Sequence, residues 1–158
     1  MHRIFVGVAL LFVFVGSALA QERTNATTKE AELMVHKAVA FVQKEGKEKA
    51  LATFNDAKGP FTYLDLYVFV LDLDGKVLAH GKNPAFVGRN DTKDAKGKYG
   101  FAAQVLEIGK GPGKGWLDYS IENPVSHKVE AKVAYVERVD DLIVVCGAFK
   151  PGRKEKGD

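Results

Sequence analysis

The chain has 158 residues, 46% of them apolar, with 23 Lys and Arg against 20 Asp and Glu for a formal net charge of +3. That length suits one domain and is short for two. The cations are scattered apart from a C-terminal cluster (Lys150, Arg153, Lys154, Lys156), so the basic, aromatic-laced face that nucleic-acid binding needs is missing.

Met1, His2 and Arg3 form a short positive start, and residues 4–16 then carry no charge. Ala18 and Ala20 supply the small-x-small pattern that signal peptidase cuts, leaving Gln21 first. A spanning helix needs about 20 apolar residues. This run is shorter and gives way to small and then polar residues, which favours a cleaved signal peptide over a retained anchor. The expected organisation is a signal peptide over 1–20, a flexible linker over 21–29, a folded domain over 30–150 and a charged tail over 151–158. The mature protein is then periplasmic or secreted. Loss of Arg3 leaves 22 basic against 20 acidic residues, a net charge of +2.

Thr27 and Glu30 match a capping box. Ala31, Val35, Ala38, Val39 and Val42 follow at helical spacing, predicting a long helix with one apolar stripe. Gly46 bends or ends it, and a second short helix is expected over 48–54. His36 lies among the polar positions and reads as solvated. After Lys58-Gly59-Pro60 the signal turns to strands. Residues 67–71 and 76–81 form a hairpin about Asp72-Leu73-Asp74-Gly75. Residues 99–108 suit a short helix, 109–115 a glycine-rich turn, and 116–121, 129–138 and 142–149 three further strands. Tight turns make consecutive strands antiparallel. The expected fold is α+β, an antiparallel sheet of five or more strands with the long helix on one face and the middle segment curling over the other.

Several catalytic and metal patterns fail on spacing. The run GKGPGKG over 109–115 lacks the Gly-Lys-Ser/Thr ending of a phosphate loop and precedes a strand. Asp72 and Asp74 lack the distal Glu and correctly placed Gly of a calcium loop. His36, His80, His127 and Cys146 show no zinc pairing, and no nucleophile motif is present. Cys146 is the only cysteine, so no internal disulfide forms, and its apolar run predicts a buried inert thiol. No enzyme and no cofactor are expected.

One set of residues does form a pattern. Lys58-Gly59-Pro60-Phe61, Tyr67-Val68-Phe69-Val70, the stretch from Gly75 through His80-Gly81-x-Asn83-Pro84, Val87-Gly88-Arg89-Asn90, Gly115-Trp116-Leu117-Asp118-Tyr119, Asn123-Pro124 and Lys132-x-x-Tyr135-Val136 occur in this order. Together they resemble the single Cache domain family, over about residues 30–150. The resemblance implies a PAS-like fold and an extracytoplasmic sensor that binds a small organic acid over its sheet. It implies a pocket lined by His80, Trp116, Tyr119, Lys132 and Tyr135. It also implies a membrane receptor or kinase as partner, while leaving the oligomeric state open. Family members often carry an aromatic two residues beyond the Tyr119 position, where this chain has Ile121. Sensor proteins place the domain before a membrane helix and a signalling module, so a chain that stops at Asp158 is expected to act as a free module. The alternative is an interaction or dimerisation module with a vestigial pocket.

The residues themselves support more than one reading. Lys132 and a donating His80 can hold a carboxylate through charge-assisted hydrogen bonds. Lys132 also shares strand parity with Glu130, which suits a surface ion pair, and His80 suits a satisfied structural role. Trp116, Tyr119 and Tyr135 equally suit a strand core. Trp116 and Tyr119 are three residues apart, as are Lys132 and Tyr135, so neither pair shares a face by alternation. The expectation drawn from this is that Tyr119 and Tyr135 share one face.

Overall fold

A computed structural model describes residue 23 and residues 25–92, 100–122 and 127–150. The expectations for the signal peptide, most of the linker and the charged tail fall outside the described residues. Helix α1 (Thr28–Glu45) opens with the capping box: the Glu30 N–H donates to Thr27 Oγ1 at 3.2 Å, and the Thr27 N–H donates to Glu30 Oε2 at 2.7 Å. Its five stripe residues are all buried. Helix α2 (Lys47–Phe54) follows directly and buries Ala50 and Phe54.

Among the described residues six strands form the sheet: β1 (Thr62–Tyr63), β2 (Leu66–Asp72), β3 (Val77–His80), β4 (Lys114–Glu122), β5 (Val129–Val139) and β6 (Leu142–Phe149). Their order is β1-β2-β6-β5-β4, with β3 also on β2, and every pairing is antiparallel. The C-terminal strand therefore lies in the middle, between β2 and β5. Residues 142–148 are buried throughout, because β6 has neighbours on both edges and cover on both faces. Gly75 closes the β2–β3 hairpin at a φ of +87°, a conformation that side chains with a Cβ rarely adopt.

Two cores form, one on each face. Under α1 lie Val68, Val70, Tyr135, Val139, Val144, Cys146 and Ala148. On the opposite face Phe69, Leu71, Val77, Ala134, Val136, Ile143 and Val145 pack against helix α3 (Phe101–Lys110) through Ala102 and Val105. This is the expected layering, with the middle segment over the far face. The short β1 and the 3-10 turn Pro84–Phe86 were not expected, since neither is long enough to carry a periodicity.

Candidate functional site

Strand register decides which candidate residues meet. Across β4 and β5, Tyr119 is the Cα partner of Lys132, and Trp116 is the partner of Tyr135. Directly opposed residues project to the same face, and the three-residue spacing sends the two pairs to opposite faces. The expectation that Tyr119 and Tyr135 share a face is therefore wrong: Tyr119 joins Lys132 on the α3 side, and Tyr135 joins Trp116 under α1.

On the α1 side, Tyr135 is buried beneath the helix. His36 packs edge-on against its ring at 5.4 Å, and His36 Nε2 lies 3.5 Å from its hydroxyl. His36 is thus a half-exposed contact of the helix with the sheet, and it pairs with Glu137 Oε2 at 3.3 Å. Trp116 lies edge-on to Tyr135 at 4.9 Å and is 43% exposed. Neither residue reaches the other face.

On the α3 side, Lys132 is only 3% exposed, which rules out the surface ion pair with Glu130. Its ammonium lies 4.3 Å from the Phe149 ring centroid and 5.5 Å from that of Tyr67. Among the described residues it has no hydrogen bond and no ion pair. Burial lowers its pKa, and the Asp65 carboxylate acts in the opposite sense. A buried ammonium costs several kcal/mol unless an anion or strong acceptors compensate it. Cation–π attraction offsets about 0.5–2 kcal/mol of that.

Around it run aromatic rings. His80 stacks on Phe86 (5.0 Å) and Phe69 (5.8 Å) and lies 4.8 Å from Tyr67, while Phe101 bridges Phe69 (5.8 Å) and Tyr119 (4.5 Å). His80 Nδ1 accepts the backbone N–H groups of Asn83 at 3.0 Å and Lys82 at 3.3 Å. Burial pushes its pKa down to about 4. The ring is then neutral at pH 7, with its proton on Nε2 as a donor. Burial also raises the pKa of the Tyr67 and Tyr119 hydroxyls, which stay protonated and able to donate. The face thus offers one cation, three neutral donors and apolar ring walls, a combination suited to a small anion.

Two concavities among the described residues lie beside β1. One of about 280 Å³ is lined by Thr62, Tyr63, Leu64, Gly81 and Lys82, and another of about 350 Å³ runs beside Leu33, Met34, Pro60 and Tyr63. Neither includes His80, Tyr119 or Lys132. Ile121, where an aromatic was expected, is exposed near the end of β4 and does not break this wall. Tyr67 and Phe69 stand in the sequence pattern without a predicted site role, and the part of Phe101 and Phe149 in this wall carries no local signal. Alternation along β2 points from Phe69 back to Tyr67, but only the non-local ladder through β6 brings them to Lys132.

Among the described residues there is no group of three or more His, Cys, Asp or Glu able to hold a metal, and no helix long and apolar enough to cross a membrane. No curated protein matches the chain in sequence. Three solved structures are similar in fold. One is the "Periplasmic sensor domain of chemotaxis protein", with TM-score 0.57, 22% identity, and 78% of this chain and 90% of that one covered. Another is a methyl-accepting chemotaxis protein from Vibrio parahaemolyticus, with TM-score 0.58, 23% identity, and 77% and 86% covered. A third is a Cache chemosensory domain described for carboxylic acid recognition, with TM-score 0.57, 18% identity, and 78% and 88% covered. The model of the family "Single Cache domain 2" matches residues 18–149, and the chain belongs to that family of sensor modules.

Proposed function

We propose that this sensor module binds a small organic carboxylate on the α3 face of its sheet, with Lys132 as the ionic anchor. The observation that carries the reading is the buried Lys132 ammonium, which has no hydrogen-bond or ion-pair partner among the described residues. Tyr119, Tyr67 and His80 Nε2–H supply neutral donors, and Phe69, Phe101 and Phe149 the walls. Tyr135 is assigned to the contact with α1 through His36, and Trp116 packs on Tyr135. The carboxylic-acid-recognising Cache domain of similar fold supports the choice of ligand class.

The chemotaxis-type structures of similar fold support a setting outside the cytoplasm and a membrane signalling protein as the partner that reads occupancy, while the charge-free run over 4–16 followed by Ala18 and Ala20 supports a leader cut after Ala20, ahead of a folded domain over 30–150. N-terminal sequencing of exported protein should then begin at Gln21, and intact Met1 in the membrane fraction would overturn the cleavage. The binding reading is tested by a thermal-shift screen of small organic acids. A ligand at 100 times its Kd adds about 2.7 kcal/mol and raises the melting midpoint by several degrees. Lys132→Met should abolish that rise; a rise that survives in the variant places the anion elsewhere.

A further inference from the structure

The sheet ends differently at its two sides. On one side β2 is edged by β1, two residues long, and by β3, four residues long with a register shift opposite Val70 and Leu71. Short strands and bulges of this kind blunt an edge against further pairing. On the other side β4 is nine residues long, pairs with β5 from Lys114 to Glu122 without a shift, and contains no proline. Its outer edge pairs with no strand among the described residues. Lys114, Trp116, Asp118 and Ser120 alternate on the α1 side and are all exposed, since α1 packs over β5, β6 and β2 rather than over β4. Asp118 is paired through Oδ1 with Lys150 of its own chain at 2.8 Å, yet its side chain is 70% exposed, which leaves Oδ2 open to a second cation.

This row is complementary to itself about Trp116, with a lysine two residues before it and an aspartate two residues after. We propose that β4 is an interaction edge for a second copy of this chain, joined antiparallel about Trp116 so that two sheets become one. A two-fold axis beside Trp116 sets Trp116 opposite Trp116 and Lys114 opposite Asp118 twice, and such a contact is isologous. Main-chain hydrogen bonds supply the attachment, and the cross-strand pairs fix the register. Directly opposed residues share a face, so the axis must pass beside a residue. Beside Leu117 it opposes Trp116 to Asp118 and forms no ion pair. Beside Asp118 it opposes Lys114 to Glu122 but sets the two Asp118 carboxylates against each other, which is unfavourable. In the Trp116 register Pro112, which has no N–H to donate, ends the ladder opposite Ser120. Both α1 helices then lie on one side of the joined sheet and both α3 faces on the other, so the edge and the carboxylate reading stand or fall separately.

Sedimentation equilibrium of the purified protein should show a dimer that grows with concentration. Lys114→Asp and Asp118→Lys should each weaken it at least about tenfold, because two attractive pairs become two repulsive ones. Both positions are exposed, so urea melts of the two variants should match the parent. Mixed in equal amounts, the variants should dimerise with each other about as tightly as the parent does with itself, since an acidic edge then meets a basic one. Trp116→Cys should oxidise to a disulfide between copies, with the buried Cys146 taking no part. A protein that stays monomeric up to about 1 mM overturns the proposal. A dimer that neither charge substitution weakens is formed through another surface and also overturns it. Variants that weaken alone and do not recover when mixed, or a dimer in which Trp116→Cys forms no disulfide, overturn the Trp116 register.

Discussion

The Tyr119 hydroxyl lies against the backbone of Gly147: a Cβ built at residue 147 would stand 2.5 Å from its oxygen. The central strand thus keeps a bare position where the tyrosine of the edge strand reaches over it. Gly147→Ala should displace the Tyr119 ring at a cost of about 1–3 kcal/mol, read by urea denaturation. Carboxylate affinity should fall with it, because Tyr119 is one of the donors. Lower stability with unchanged affinity would separate Tyr119 from the site.

Lys132→Met should stabilise the ligand-free protein. Methionine fills nearly the same length among Tyr67 and Phe149 without an ammonium to desolvate. A gain of about 1 kcal/mol is expected, together with a roughly tenfold to hundredfold loss of carboxylate affinity. A variant that loses stability would mean that the lysine has a compensating partner in the free protein.

His80 gives stability a pH signature. Its folded pKa, pushed down to about 4, lies below the ordinary value of 6.5. Between these values the unfolded chain takes up a proton that the folded one resists. The His80 contribution is therefore constant above about pH 6.5, falls as pH drops from there to about 4, and levels off below. His80→Asn keeps an acceptor for the Asn83 amide and removes the titration. Urea melts across pH 4–7 should show a shallower acid decline in the variant than in the parent, and parallel curves would contradict a buried neutral ring.

Cys146 is fully buried on the α1 side, with Sγ 3.7 Å from Met34 Sδ, and burial pushes its thiol up to about 12. A disulfide reagent should label it only as fast as the fold opens, and the rate should climb in urea with the unfolded population. Prompt labelling of native protein would contradict its place in the central strand.

Local pattern made much of the fold legible. The capping box and the α1 stripe are the strongest instances, because helix periodicity and caps depend on residues a few positions apart. Strands β2, β5 and β6 fell within a residue of their expected ends for the same reason. The site was less legible. Alternation shows that Lys132 and Tyr135 point apart, but choosing between Tyr119 and Trp116 as the partner of Lys132 requires the β4–β5 register. Six residues separate the end of β4 from the start of β5, and counting from sequence alone leaves the register open by one. Phe149 was further out of reach, since its approach to Lys132 runs through β6, inserted between β2 and β5 from the far end of the chain.

Strand β5 carries Lys132 toward the aromatic rings and, three residues on, Tyr135 toward His36 of the long helix. A slide of this one strand by a fraction of an ångström would be registered on both sides of the sheet at once. If a carboxylate binds at Lys132 as proposed, the backbone of β5 would couple that event to the Tyr135–His36 contact on α1 without a chain of side chains between them.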